Sequence, residues 1–212
     1  VMDVREAMTA PPVTVSPRQT IGEAAAIMRR GHFRHLPVVQ NDALAGIISE
    51  RDLHTGDGTL PEEDHRRRPL RVVMTADVIT IAPHDPIEQA ARLMLENKVG
   101  CLPVMEQDAV VGIITESDIF RAFVHTLGVM EPGTRVQIRA PDLASALEHI
   151  AGAARSRGVR VISIISEPPA TDGSCRLVVR FGTLLIAPLI AALRAAGLSV
   201  EEPESGRAGA TP

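Results

Sequence analysis

The sequence predicts a mixed α/β (α+β) chain: two copies of a strand, helix, strand, strand, helix unit, then a different strand, helix, strand, strand, helix, strand unit. Three observations predict it. Shifting the sequence by 66 positions aligns residues 8–53 with 74–119 without a gap and matches nineteen of the 46 aligned positions, which marks an internal duplication. Inside each copy the apolar residues alternate between helical spacing and short strand-like runs. After Glu131, Pro132 and Gly133 the repeat stops and a new series of runs begins.

Each element has a local cause. Thr20 and Glu23 form a capping-box pattern ahead of Ile21, Ala24, Ala25 and Met28, which make one apolar helix face. The second copy repeats the stripe as Ile87, Ala90, Ala91 and Met94, with Asp85 placed as N-cap and Pro86 at the first helical position. Apolar strands follow at residues 36–39 and 102–105, then polar turns through Asp42 and Asp108, then second strands ending at Ile48 and Ile114. Final helices begin at Glu50 and Glu116. One such unit alone buries too little surface to be comfortably stable, so the copies are expected to pack as a pseudo-symmetric pair.

Composition narrows the function. The chain is 45% apolar and 23% charged with a formal charge of −4, the balance of a globular protein with no general attraction to nucleic acid or anionic lipid. There is no Trp or Tyr and only four Phe, so base stacking has little to work with. The longest apolar run, residues 184–193, contains Pro188 and is too short to span a bilayer. Two cysteines, Cys101 and Cys175, and no visible secretory segment point to a reducing cytoplasm.

Ser49 stands three residues before Asp52 just past a strand, and Thr115 stands likewise before Asp118. Two readings stand beside each other: a capping hydroxyl with a carboxylate at the helix start, or a polar pair that receives a ligand. The stretches LPVV and GIISERD in copy one, and LPVM and GIITESD in copy two, resemble the two halves of a CBS-domain pair over residues 4–124. The resemblance implies that the Ser or Thr helps hold ribose or phosphate of an adenosine derivative and that the Asp accepts bonds from the ribose diol. Charge-assisted bonds and exposed helix-start N–H groups suit those roles.

It further implies two related sites. The first contains Ile47, Ser49 and Asp52, faced by Ile79, Thr80 and Val99, with Arg34 and His35 where relatives carry a phosphate-contacting basic residue. The second contains Ile113, Thr115 and Asp118 with Val13, Thr14 and Phe33; its counterparts of Arg34 and His35 are Gly100 and Cys101, with Lys98 the nearest cation. By its residue type alone Arg34 also fits a solvated strand-edge cation. His32 and His35, with His54 and His65, fall short of a zinc spacing, so no metal site is expected. The segment 54–69, with Gly56, Gly58, Pro61, Pro69 and the run Arg66, Arg67, Arg68, reads as a solvated loop, or as arginines reaching a partner or a polyphosphate.

In the last third, Val136 and Ile138 alternate with polar residues, Asp142 caps a helix with the face Leu143, Ala146, Leu147 and Ile150, and Gly158 ends it. Strands are expected at 159–165 and 177–181, split by a turn at 168–173, then a helix facing inward with Ile186, Leu189, Ile190 and Leu193, a C-cap at Gly197, and a strand at 198–200. That order is the ferredoxin-like split arrangement, and residues 134–201 resemble an ACT domain, most closely over the stretch 135–164. Ser145 stands where amino-acid-binding relatives place a Gly, so a dimerising or packing role is expected instead.

The expected organisation is a first repeat at 1–60, a second at 61–130, an ACT-like domain at 131–203 and a disordered tail at 204–212. A CBS pair followed by an ACT-like domain resembles acetoin-utilisation regulatory proteins. The implied function is a nonenzymatic sensor of an adenine nucleotide (AMP, ADP or ATP class), forming a homodimer and acting on a protein target; S-adenosylmethionine and NAD are the alternative ligands. The rival is a constitutive dimerisation or assembly module without ligand. No nucleophile constellation or phosphate-cradling glycine loop argues for catalysis.

Overall fold

A computed structural model describes residues 2–54, 61–168, 171 and 173–201. Gly56, Gly58, part of the 168–173 turn and the tail expected at 204–212 lie outside the described residues. The chain divides into two compact units, Val1–Ala122 and Phe123–Pro212.

The first unit holds α1 (Val4–Ala7), α2 (Ile21–Gly31), β1 (His35–Gln40), β2 (Ala43–Ser49), α3 (Glu50–His54), α4 (Glu62–Arg66), a 3-10 turn at Leu70–Val72, α5 (Ile87–Asn97), β3 (Cys101–Glu106), β4 (Ala109–Thr115) and the start of α6 (Glu116–Thr126). The hairpins β1–β2 and β3–β4 are twins, antiparallel and bulged at the same place, Val38/Val39 and Val104/Met105. Gln40 pairs with Ala43 across Asn41 and Asp42, both at positive φ, as a two-residue turn matched to strand twist requires.

The capping box on α2 is present: Glu23 N–H donates to the Thr20 hydroxyl at 3.2 Å, and Thr20 N–H to the Glu23 carboxylate at 2.7 Å. The second copy corrects the sequence reading. Pro86 is the N-cap of α5, and Asp85 accepts the Ala82 N–H at 3.0 Å, so its carboxylate is turned toward the preceding segment. The early strand of each copy also shrinks to one parallel bridge, Val15 to Val38 and Ile81 to Val104. Pro17 and Pro83, two residues on, have no N–H to continue a ladder.

Each core contains a residue that precedes the other copy. Val15, Ile21, Ala24, Met28, Leu36, Val38, Ile48 and Leu53 gather around Leu70, which enters from the segment leading into copy two. Ile81, Ile87, Ala90, Met94, Leu102, Val104 and Ile114 gather around Val4, which enters from before copy one. The crossings are stitched by equivalent bridges, Thr9 to Ile113 and Thr75 to Ile47. Burying each such aliphatic side chain contributes about 1.5–3 kcal/mol, so the exchange ties the copies into one unit.

The second unit contains β5 (Thr134–Ala140), α7 (Leu143–Ser156), β6 (Val161–Ser166), β7 (Cys175–Phe181), α8 (Ala187–Ala195) and β8 (Ser199–Val200). Its antiparallel sheet has the order β6-β7-β5-β8. Val136, Ile138, Leu177, Val179 and Phe181 face Ala146, Ile150, Leu189 and Leu193 in one core. Asp142 caps α7 through the Ser145 N–H at 2.8 Å, as expected. The face of α7 is rotated from the sequence reading: Leu143 and Leu147 are exposed, while Ala153 and Ala154 are buried with Ala146 and Ile150. Small residues let the helix approach the sheet closely, and the two leucines fall outside that contact. Strand β7 starts two residues early, at the buried Cys175. No helix among the described residues is long and apolar enough to cross a membrane.

Candidate ligand cleft

The end of β2 and the start of α3 bring the first polar pair together. Ser49 closes the strand and Asp52 lies in the first turn of the helix. Both the Ser49 N–H and its hydroxyl donate to Asp52 Oδ2 at 2.7 Å, and Asp52 N–H points back to the Ser49 hydroxyl at 3.4 Å. Thr115 and Asp118 repeat the geometry, with Oδ2 accepting from the Thr115 N–H at 3.0 Å and from its hydroxyl at 2.7 Å. The capping bonds therefore exist in both copies and use one oxygen of each carboxylate.

Around Asp52 lies a cleft of about 850 Å³, lined within the first unit by Arg34, His35, Ile47, Ser49, Asp52, Ile79 and Val99. Those are the residues expected for the first site except Thr80, half-buried beside Ile79 but not in the lining. The β1–β2 register sets His35 opposite Ser49, and the Glu50 N–H donates to the Arg34 carbonyl at 2.8 Å, anchoring the basic pair beside the motif.

Lys98, Gly100 and Cys101 line this same cleft, not a separate one. The reason is the near-twofold pairing: a Cβ on Gly100 would lie 3.5 Å from the His35 ring and 3.6 Å from the Glu116 carboxylate. Glu50, Arg51, Thr75, Asp77 and Glu116 also line it and were not singled out as site residues from the sequence; His54, weighed there only as a metal ligand, lines it too. Their only sequence signal is the repeat offset, which shows that Thr75 is the twin of Thr9 but not where the segment crosses.

Of the residues expected at the second site, Ile113 is buried and bonded to Thr9 through both backbone groups, and Asp118 is buried. Val13 is 48% exposed, Thr14 is exposed, and Phe33 packs against the core of copy one. Of the four histidines weighed as metal ligands, His35 and His54 line the cleft, whereas His32 is the left-handed C-cap of α2. His65 is 3.0 Å from the Leu53 carbonyl. Among the described residues no group of three or more His, Cys, Asp or Glu is arranged to hold a metal. The arginines of the 66–68 run are partly paired: Arg67 donates to Glu63 at 2.6 Å, and Arg66 lies 3.7 Å from Glu62.

Burial holds the His35 imidazole below its ordinary value, and the Arg34 guanidinium adds to this; Asp52 and Glu116 pull it back up, and Arg51 opposes them. Burial pushes the Cys101 thiol up to about 12, with Glu116 adding to it, so this cysteine is a protonated wall of the cleft. The arrangement is an open, mixed-charge pocket with apolar sides, a carboxylate at a helix start and several cations.

The chain matches the CBS domain family twice, over residues 3–55 and 70–125. The CBS domain-containing protein YhcV of Bacillus subtilis is 32% identical over 116 residues, covering 55% of this chain and 81% of that protein. A structure from Vibrio cholerae provisionally named an acetoin utilization protein (AcuB) is similar at 34% identity and a TM-score of 0.55, covering 61% of this chain and 96% of that one. The CBS domain pair of protein MJ0100, solved with 5'-methylthioadenosine and S-adenosyl-L-methionine, is similar at 29% identity and a TM-score of 0.53, covering 59% and 98%. CBSX2, solved with AMP, is similar at 25% identity and a TM-score of 0.52, covering 59% and 98%. Duplicated hairpins, exchanged entry segments and two strand-to-helix motifs all fall within the matched residues, and the chain belongs to the CBS-domain family.

Proposed function

We propose that this chain is a nonenzymatic regulatory sensor that takes an adenosine derivative in the cleft beside Asp52 and relays occupancy to its C-terminal unit. One observation carries the reading: the Ser49–Asp52 pair opens onto a cavity of about 850 Å³ that also presents Arg34, His35 and Lys98. Asp52 is the group for the ribose diol, Arg34 and Lys98 are the groups for a phosphate or carboxylate, and Ile47, Ile79 and Val99 are the apolar walls for the adenine. AMP, ADP and ATP are the ligand class, with S-adenosylmethionine and NAD as rivals.

The C-terminal unit is read as an ACT-like domain of the ferredoxin-like kind, a reading supported by its β6-β7-β5-β8 order. The Ser145 N–H is engaged by Asp142, which favours a packing role over an amino-acid site. The chain acts as a cytoplasmic homodimer on a protein target. Leu95 on α5 and Phe120 on α6, 79% and 72% exposed, support association through helix faces. Light scattering that finds only monomer removes the dimer.

A thermal-shift panel of adenosine, AMP, ADP, ATP, S-adenosylmethionine and NAD tests the ligand reading. A ligand at 100 times its Kd adds about 2.7 kcal/mol of stability. No shift with any of them favours the assembly module, for which the capping bonds already give both motifs a purpose.

A further inference from the structure

The basic end of the Asp52 cleft also holds a carboxylate. The His35 ring and Glu116 Oε2 converge on Gly100, 3.5 and 3.6 Å from where its Cβ would be. Glu116 is held there by its own backbone, whose N–H donates to the Gly100 carbonyl at 3.1 Å, the twin of the bond from Glu50 to Arg34. The His35 imidazole feels Arg34, Arg51, Asp52 and Glu116 together, which agrees with four charges gathered around one end of the cavity. As the first residue of α6, Glu116 also suits the helix dipole. That role needs no cleft, yet Glu116 lines one, and its carboxylate makes no hydrogen bond or ion pair with another described residue.

The balance of charge decides what that end can hold. Among the described residues the lining has three permanent cations, Arg34, Arg51 and Lys98. Against them stand four carboxylates, those of Glu50, Asp52, Asp77 and Glu116. A first phosphate can be met by Arg34 and Lys98. Each further phosphate brings more negative charge into a cavity with no cation in excess, at the end where Glu116 stands. We infer that the cleft selects its ligand by charge, favouring an adenosine derivative with one phosphate over di- and triphosphates, and that Glu116 is the residue that sets this limit. The inference rests on the ligand reading given above and narrows its class.

Calorimetry of the full chain with adenosine, AMP, ADP and ATP, without divalent cations that would mask phosphate charge, tests it. The wild type binds AMP more tightly than ADP and ADP more tightly than ATP, and added salt narrows the gap by screening the repulsion. Glu116→Gln keeps the shape of the side chain and removes its charge. It raises ATP affinity relative to AMP by about fivefold or more, the size of one close charge pair in water. ATP binding to the wild type as tightly as AMP or more so, or a gap that salt does not narrow, overturns charge selection while leaving the ligand reading intact. An equal change for all four ligands in Glu116→Gln, or no change, assigns Glu116 to the helix start and overturns its role. Adenosine binding without any nucleotide in either protein does the same. Binding of none of the four overturns the adenine-nucleotide reading and this inference with it.

Discussion

Gly46 meets the backbone of Thr75 so closely that a Cβ on the glycine would lie 2.8 Å from the Thr75 carbonyl oxygen. That oxygen cannot retreat, because it accepts the Ile47 N–H at 2.9 Å while Thr75 N–H donates back to the Ile47 carbonyl at the same distance. The twin Gly112 meets the Thr9 carbonyl, 3.2 Å from where its Cβ would be. The glycine of the family motif is thus needed for the crossing segment that ties the copies together.

Gly46→Ala is therefore expected to destabilise the first unit by about 1–3 kcal/mol, the cost of overpacking against fixed backbone. Gly152 in α7 has nothing within 4 Å of its would-be Cβ, so Gly152→Ala is expected to be stabilising by up to about 1 kcal/mol. Urea melts followed by far-ultraviolet circular dichroism compare the two; an unchanged midpoint in Gly46→Ala contradicts the steric account.

Arg34 lines the Asp52 cleft and its twin is Gly100, so phosphate affinity should depend on it alone of the pair. Arg34→Ala is expected to lower AMP affinity by about tenfold and to flatten its salt dependence, as loss of a screened charge contact does, while adenosine binding stays level. Calorimetry at two salt concentrations is the measurement. Equal losses for adenosine and AMP would assign Arg34 to the fold rather than to the phosphate.

The lowered His35 value fixes the direction of a pH effect. Below the ordinary value of 6.5 the unfolded chain takes up a proton that buried His35 resists, so this site's contribution to stability is complete above 6.5 and is lost as pH falls toward the lowered native value. The thermal midpoint of wild type should fall more between pH 7.5 and 5 than that of His35→Asn. A variant that follows the wild-type curve shows that another group governs the loss.

Phe181 is fully buried in the second unit's core, with Val136, Leu177 and Val179. Phe181→Ala is expected to cost about 3–5 kcal/mol through lost burial and the cavity left behind. Hydrogen exchange should show protection falling in β5 and β7, with β1 to β4 retaining theirs, because their cores are separate clusters. Uniform loss across the chain would refute independent cores.

Local chemistry was legible without coordinates. The offset repeat, the stripes Ile21, Ala24, Met28 and Ile87, Ala90, Met94, and the Thr20–Glu23 cap depend on neighbours within a helical turn, and the structure places them as their spacing requires. Ser49 with Asp52 and Thr115 with Asp118 were legible for the same reason. Long-range pairing was not. Periodicity says that Val4 and Leu70 are apolar, but only tertiary packing decides that each enters the core of the other copy, because a hydrophobic face carries no address. The same holds for Lys98 and Gly100, which the near-twofold pairing brings into the cleft of His35, and for Leu143 and Leu147, which the sheet leaves outside because small alanines fit closer. Sequence determined which segments fold and which groups can bond within a turn; the packing of one copy against the other decided which of those groups share a cavity.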